Sequence, residues 1–191
     1  MSFFKELRTV STASIKGIQQ PVDAAQSNMH SPATEIFTDF TLHSPLLLEQ
    51  ATTIDYAREM MKRTHVKLKL VIDLQEVFRG VISLDDLMSA KVVKAMERSG
   101  LTLRELTVEH VMTPRSALHA IESRDFAMAS IGDVLATMKK YGEQHVLVVD
   151  SQLGSVRGIV SANDIARKIH IPIVISERAN SFSEIYRAIA G

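Results

Sequence analysis

The sequence repeats a short pattern, and this duplication constrains the fold more than any other feature. Residues 79–86 read Arg-Gly-Val-Ile-Ser-Leu-Asp-Asp, and residues 157–164 read Arg-Gly-Ile-Val-Ser-Ala-Asn-Asp. Each copy has a glycine, a short apolar run, a serine and then a carboxylate. Self-similarity of this kind indicates a chain built from copies of one structural unit. We name the two stretches the first corner (Gly80–Asp86) and the second corner (Gly158–Asp164).

The repeat extends upstream of the corners and defines a larger unit. Residues 70–73 match residues 147–150, and residues 53–61 match residues 130–138. The upstream stretches carry apolar residues at helical spacing, and the aliphatic runs before each corner are typical of buried strands. Each unit therefore predicts strand, helix, strand, strand, helix. The predicted fold class is α/β (α+β), with two tandem β-α-β-β-α repeats.

Capping signals mark several helix ends. Residues 130–133 (Ser-x-x-Asp) and 52–55 (Thr-x-x-Asp) place a hydroxyl and a carboxylate at the starts of two predicted helices. Gly100 predicts the end of a helix, and residues 102–105 (Thr-x-x-Glu) predict the start of another short one. An apolar stripe in residues 181–189 predicts a tail helix that either packs on the core or binds a partner.

Composition excludes several classes of protein. The chain has 191 residues, 46% of them hydrophobic, and 22 charged residues of each sign. Zero net charge argues against broad attraction to nucleic acid or to an anionic membrane. The absence of cysteine excludes disulfides and thiolate metal sites. With no apolar run long enough to span a bilayer and no signal-peptide core, a cytoplasmic protein is expected.

The repeat boundaries predict the domain organisation. Residues 1–33 form an N-terminal arm, residues 34–92 the first repeat, residues 93–107 a linker, residues 108–172 the second repeat and residues 173–191 the tail. Residues 11–34 are rich in Ser, Thr, Ala, Gln and Pro and carry little charge, which predicts a loose arm. Each repeat is small, so the two are expected to pack together.

These residues resemble the cystathionine-β-synthase (CBS) domain family. The resemblance rests on two corners of the form Gly-apolar-apolar-Ser-x-x-Asp, each preceded by an apolar strand ending in Asp. Val111–Arg115 and Ile36–Phe40 are similar to the segments that lead into such repeats. Over residues 34–170, the resemblance implies a tandem pair about a pseudo-twofold axis, often a homodimer. It also implies an adenosine-containing ligand such as AMP, ADP, ATP or S-adenosylmethionine between the repeats.

The resemblance implies ligand roles for both corners. Asp164 and Asp86 would hold the ribose, and Ser161 and Ser83 would lie near a phosphate. A carboxylate suits this role because it accepts hydrogen bonds from both ribose hydroxyls. The candidate ligand-binding residues are Asp164, Ser161, Gly158, Asn163, His145, Arg115, Thr113, Asp86, Ser83, Gly80 and Lys67.

Charge makes the second corner the stronger candidate. Asp85 stands beside Asp86, so the first corner carries two carboxylates where a phosphate would approach. Neutral Asn163 occupies the corresponding place in the second corner. His145 and Arg115 are expected to add positive charge to the cleft that contains Asp164.

Other charged residues leave the comparison open. Lys67 and Lys69 precede the first corner and keep it a candidate site. Arg79 and Arg157 precede the two glycines, where we interpret them as solvated charges at strand ends. The Ser-x-x-Asp pattern itself has a second interpretation, since it is also a helix capping box that needs no ligand.

Two functional hypotheses follow. In the first, the chain is a non-catalytic sensor that binds an adenine nucleotide and reports it to a separate, unknown partner protein. In the second, it is a ligand-independent interaction or dimerisation module. The sequence shows no catalytic motif and no metal-ligand spacing, so no catalytic residue, resident metal or required cofactor is predicted. Whether Mg²⁺ accompanies a nucleotide is left open.

Overall fold

Two four-stranded sheets organise the part of the chain that the computed structural model describes, residues 6–18, 27–173 and 175. The strands are β1 (Thr38–Asp39), β2 (Leu47–Glu49), β3 (Leu68–Ile72), β4 (Phe78–Ser83), β5 (Thr113–Pro114), β6 (Ala120–Glu122), β7 (His145–Asp150) and β8 (Ser155–Ser161). The α-helices are α1 (Ile54–Arg63), α2 (Ala90–Ser99), α3 (Ser123–Met128), α4 (Ile131–Tyr141) and α5 (Ala162–Ile169). The sheet orders are β2-β3-β4-β5 and β1-β8-β7-β6, which confirms the predicted mixed fold with two sheets.

The repeats exchange their first strands. β1 lies at the start of the first repeat in sequence, yet it pairs antiparallel with β8 of the second. β5 lies at the start of the second repeat and pairs antiparallel with β4 of the first. We call β1 and β5 the lead strands. Each sheet is therefore completed by the other repeat, and neither repeat forms its whole sheet alone.

The corner glycines are required by this exchange. A Cβ atom on Gly158 would lie 2.3 Å from the Phe37 ring and 2.4 Å from the carbonyl oxygen of Thr38. A Cβ atom on Gly80 would lie 2.2 Å from the carbonyl oxygen of Thr113. Both distances are far below van der Waals contact, so only glycine admits the lead strand here. The repeated glycine thus has a structural reason that does not involve a ligand.

The hydrophobic cores follow the same exchange. The core of the second repeat contains Ala33 and Ile36, which precede β1. The core of the first repeat contains Leu106 and Val108, which precede β5. A third cluster, centred on Leu70, Val81 and Leu147, joins the two sheets face to face. The predicted linker is consequently part of the first core.

Backbone hydrogen bonds attach the chain before each lead strand to a helix of the other repeat. The amides of Ile131 and Gly132 donate to the carbonyls of Ser31 (2.9 Å) and Met29 (2.8 Å) at the start of α4. The amide of Ile54 donates to the carbonyl of Leu106 (3.1 Å) at the start of α1. These carbonyls satisfy amides that have no partner within the helix. The prediction of a loose arm is therefore wrong for residues 28–33.

The capping predictions had mixed outcomes. Ser130 and Asp133 form the predicted capping box at α4, and Gly100 ends α2 with a φ of 70°. At α1 the N-cap is Thr53, without a side-chain hydrogen bond, so the motif at 52–55 is not a cap. Residues 102–105 form a hydrogen-bonded turn and not a helix, because Glu105 bonds back to Thr102 and the chain then turns toward α1.

Two further features complete the description. The short helix α3 lies between β6 and α4, where the first repeat has only a turn, and it was not predicted. The predicted tail helix at 181–189 lies outside the described residues. No helix in the described ranges combines the length and the apolar character needed to cross a membrane.

Candidate functional site

The second corner connects β8 directly to α5. Ser161 is the N-cap of α5, and its Oγ accepts a hydrogen bond from the amide of Asp164 at 3.0 Å. The Ser161 hydroxyl also donates to Asp164 Oδ2 at 2.6 Å. The other carboxylate oxygen of Asp164 forms an ion pair with Arg167, and 37% of the Asp164 side chain is exposed. The carboxylate thus lies at the protein surface, within reach of a ligand.

The first corner has the same pattern in a tighter setting. The amide of Ser83 donates to Asp86 Oδ2 at 3.0 Å, and the amide of Asp86 donates to Ser83 Oγ at 3.0 Å. Lys91 forms an ion pair with Asp86, whose side chain is only 14% exposed. A single 3₁₀ turn follows, and α2 begins after its own N-cap, Ser89. This carboxylate is therefore less accessible than its counterpart.

The second corner satisfies the capping interpretation without a ligand, since Ser161 is the N-cap of α5. Ser83 makes a similar contact in a turn, and the N-cap of the 3₁₀ helix that follows is Asp85. In each corner, the serine oxygen accepts the amide of the aspartate three residues later, as an N-cap side chain does. The aspartates also have intramolecular cations beside them. A ligand that used either carboxylate would have to share or replace these contacts, so the geometry permits binding and does not require it.

His145 lies directly opposite Ser161 in the β7–β8 ladder. Residues opposite each other in an antiparallel pair carry their side chains on the same face. The imidazole is half-buried, and burial lowers its pKa, while the carboxylates of Asp164 and Asp85 oppose that shift. Charges from both corners therefore act on this one side chain. The corresponding place opposite Ser83 is occupied by Leu68, which cannot titrate.

Of the remaining residues predicted to lie near Asp164, only Asn163 does so in the structure. Asn163 is exposed beside Asp164. Thr113 and Arg115, however, lie along β4 of the first sheet, where Arg115 Nη1 donates to the carbonyl of Phe78 at 3.4 Å. The expectation that Arg115 adds charge to the Asp164 cleft is corrected, because strand exchange carries the second lead strand to the first repeat.

The two lysines that precede the first corner in sequence lie in different environments. Lys67 is exposed, and its carbonyl accepts the amide of Leu84 at 2.9 Å, so its backbone adjoins the corner. Lys69 is buried, and its ammonium donates to the carbonyl of Leu47 at 3.2 Å. Burial lowers the pKa of Lys69. Lys69 is therefore part of the interior of the first repeat.

The sequence missed the contribution of the first lead strand to the second sheet. Asp39 lies opposite Gly158, and Arg157 binds it with Nε at 2.9 Å and Nη2 at 2.7 Å. This contact holds the pKa of Asp39 below its ordinary value. Arg79 binds Asp73 in its own hairpin instead. The interpretation of both arginines as merely solvated charges is wrong, since each has a carboxylate partner. Asp39 and Arg157 are 118 positions apart, so no local pattern in the sequence indicates that they pair.

The second corner offers a defined set of groups to a ligand. It has a carboxylate that accepts hydrogen bonds, a hydroxyl and an imidazole, beside the start of α5. The amides of Ala162 and Asp164 there already donate to the carbonyl of Gln144 (2.9 Å) and to Ser161 Oγ (3.0 Å). The positive end of the helix dipole favours an anionic group such as a phosphate. Across the described ranges, no three His, Asp or Glu side chains are grouped so that they could hold a metal ion. The arrangement suits hydrogen bonding to a polar anion.

Comparison with protein families identifies both repeats. The model of the CBS domain matches residues 38–93 and again residues 108–171. The two matches together cover more than half of the chain. A search of curated proteins finds no match.

Solved structures share the fold at low sequence identity. An uncharacterized conserved protein from Pyrococcus horikoshii has a TM-score of 0.55 and 20% identity, covering 77% of this chain and 98% of its own. CBSX2 in complex with AMP has a TM-score of 0.53 and 20% identity, covering 72% and 94%. The CBS-domain containing protein ATU1752 from Agrobacterium tumefaciens has a TM-score of 0.54 and 16% identity, covering 78% and 98%. At these identities the similarity establishes the fold alone.

Proposed function

The chain belongs to the CBS domain family as a tandem pair, a regulatory module, and we propose that it binds an adenosine-containing ligand at the second corner. The observation that carries this proposal is the grouping of Asp164, Ser161 and His145 at the open end of β8. Binding would report the level of an adenine nucleotide, or of S-adenosylmethionine, to a separate partner protein. A homodimer of the chain is part of the same proposal.

The chemistry of the corner matches the two polar parts of a nucleotide. The Asp164 carboxylate accepts hydrogen bonds from the ribose hydroxyls, which are strong because the acceptor is charged. Ser161 and the positive end of the α5 helix dipole face the phosphate. His145 gains a proton more readily once an anion lies beside it, because an opposite charge favours the charged form.

Accessibility and charge favour the second corner over the first. Arg167, the cation beside Asp164, has 77% of its side chain exposed, so it can swing into solvent at small cost. Asp86 is more enclosed, and exposed Asp85 adds a second negative charge where the phosphate would approach. The second corner has Asn163 at that place.

The fold supports a route from ligand to partner. The sheets meet through the cluster of Leu70, Val81 and Leu147, and the charge of Asp85 reaches His145 from the first corner. A ligand at the second corner would lie beside β7, the strand that also carries Leu147 into the cluster between the sheets. If it binds one arrangement of the repeats more tightly, it shifts the population toward that arrangement. The AMP complex of CBSX2, which shares the fold, supports AMP as the first ligand to test.

The test is a binding titration of the whole chain with AMP, ADP, ATP, S-adenosylmethionine and GTP, with and without Mg²⁺. Thermal unfolding and calorimetry both report binding, since a ligand that binds only the folded state stabilises it. Asp164→Ala should weaken the adenine ligand by ~10- to 150-fold, equivalent to ~1.5–3 kcal/mol.

Asp133→Ala provides a matched control. Asp133 forms the same kind of reciprocal contact with Ser130 at the start of α4, away from the corners. It should lower the thermal stability and leave the dissociation constant unchanged. Equal weakening in both variants would make the effect one of folding alone. Absence of binding by every ligand would favour the interaction-module hypothesis, which the ligand-free serine–aspartate hydrogen bonds at both corners also fit.

A further inference from the structure

A pocket of about 300 Å³ lies in the second repeat, and none of its lining residues belongs to either corner. One wall is the chain around the first lead strand, with Phe37, Asp39 and Leu42. The opposite wall is α3, with Phe126 and Ala127. Val148 of β7 and Arg157 of β8 close it on the side of the sheet.

The lining of the pocket uses two features in which the repeats differ. α3 occupies the connection between β6 and α4, whereas the connection between β2 and α1 is a turn without a helix. The pocket also uses Phe37, which packs over Gly158. On the other sheet the place beside Gly80 is taken by the backbone of Thr113. These two features distinguish the lining of this pocket from the corresponding part of the first repeat.

The lining combines aromatic walls with one cation at the edge. The rings of Phe37 and Phe126 have centroids 4.8 Å apart and planes tilted by 49°, a geometry typical of aromatic clusters. Arg157 uses Nε and Nη2 for Asp39. A guanidinium has five N–H groups, so donors of Arg157 are left over for which no acceptor is found in the described part of the chain.

From this chemistry we propose that the pocket binds a small, single-ring aromatic molecule that carries one neutral hydrogen-bond acceptor. The ring would lie against Phe37 and Phe126, and the acceptor would bond to Arg157. The volume equals that of about ten water molecules in the liquid, which accommodates one ring with a short polar group. A neutral acceptor fits because Asp39 already balances the charge of Arg157.

Binding here would strengthen the exchange of the first lead strand. The β1–β8 ladder has only two residue pairs, and the ligand would touch both sides of it, Phe37 and Asp39 on one side and Arg157 on the other. The amide of Phe40 donates to the carbonyl of Arg157 at 2.9 Å and reports on this contact. Its hydrogen exchange should slow when the pocket is filled. This inference stands independently of nucleotide binding.

The experiment titrates the whole chain with benzamide and follows backbone amide resonances by NMR. Acetamide, which has the acceptor without the ring, serves as the matched probe. Ala127→Phe fills the pocket from an exposed position on α3, so it should fold normally. Met128→Phe adds the same ring at the next residue of α3, which is 89% exposed and outside the lining.

We expect benzamide to shift the resonances of the lining residues with a dissociation constant on the order of millimolar, as small fragments bind. Acetamide should cause no shift, Ala127→Phe should weaken benzamide at least about tenfold, and Met128→Phe should leave it unchanged. The Phe40 amide should exchange more slowly with benzamide present. Shifts elsewhere, equal binding by Ala127→Phe, or no binding at 20 times that concentration, about 20 mM, would overturn the assignment.

Discussion

The two corners carry the same serine and aspartate but continue into different structures. At the second, Ser161 caps α5 directly, and Asp164 lies on the first turn of that helix at the surface. At the first, Asp86 begins a 3₁₀ turn, and a second cap, Ser89, is needed before α2 starts. The Asp86 side chain is mostly buried and forms an ion pair with Lys91. Identical residue types thus produce one open corner and one enclosed corner.

The difference separates two roles of the repeated pattern. The glycine and the reciprocal serine–aspartate contact are present in both corners, because both admit a lead strand and both begin a helical segment. Exposure, neighbouring charge and the residue opposite the serine are not shared. Features common to both corners therefore serve the fold, and the exposure, neighbouring charge and histidine of the second corner are the reasons for proposing the ligand site there.

Alanine at the two corner glycines tests the shared role and should have the largest effect. Gly80→Ala and Gly158→Ala should each destabilise the protein by about 1–3 kcal/mol or more, because the added Cβ overlaps the lead strand. The two costs should be similar, since each Cβ meets a backbone carbonyl oxygen, that of Thr113 at 2.2 Å or that of Thr38 at 2.4 Å. Urea unfolding measures both.

Gly17→Ala is the control for this comparison, because nothing lies within 4 Å of a Cβ at that position. Its unfolding free energy should match that of the native chain within about 0.5 kcal/mol. If either corner variant were as stable as this control, strand exchange would not be the reason for that glycine.

Asp86→Ala sharpens the comparison of ligand sites. We expect it to weaken the adenine ligand less than threefold, against ~10- to 150-fold for Asp164→Ala, because the first corner is enclosed and doubly acidic. Isothermal titration of both variants in one buffer measures the ratio. A larger effect of Asp86→Ala would move the proposed site to the first corner.

The smallest expected effect concerns pH and the residue opposite each serine. The pKa of His145 is lowered in the folded chain, so protons bind the unfolded chain more readily. Its contribution to stability is complete above its unfolded pKa of about 6.5 and declines as the pH falls toward the folded pKa. His145→Leu copies Leu68 of the first repeat and should remove this decline.

Urea unfolding at pH 7.5, 6.5 and 5.5 measures the effect as the difference between the native chain and His145→Leu. The difference isolates one of the seven histidines, since the others are common to both proteins. A difference that stays constant with pH would show that burial of the imidazole does not disfavour its charged form.

Much of the fold was predictable because its signals are local. The apolar spacing of α4, the box of Ser130 and Asp133 and the end of α2 at Gly100 all depend on residues within a few positions of one another. One local signal gave a wrong prediction. Residues 102–105 were predicted to start a helix, but the hydrogen bond between Thr102 and Glu105 closes a turn instead. The residues before a lead strand had no signal, since their hydrogen bonds go to the other repeat.

The candidate site was predictable in part for the same reason. Ser161, Asp164 and His145 are brought together by one hairpin and the helix after it, a short-range arrangement that the repeat itself indicates. Arg115 was placed beside the wrong corner, and Asp39 was missed. Both errors come from long-range pairing of strands that are two residues long, too short to carry a periodic pattern.

The sequence by itself determined the duplicated unit, most of its helices and central strands and the residues of each corner, because these depend on periodicity and capping between near neighbours. Only the tertiary structure decided which sheet receives each lead strand, which carboxylate remains open, and where Arg157 finds its partner. Those outcomes depend on close packing between distant segments. Gly80 and Gly158 are required by that packing, but the sequence does not show why. The reason is the close approach of a lead strand to each glycine, which is known only from the tertiary structure.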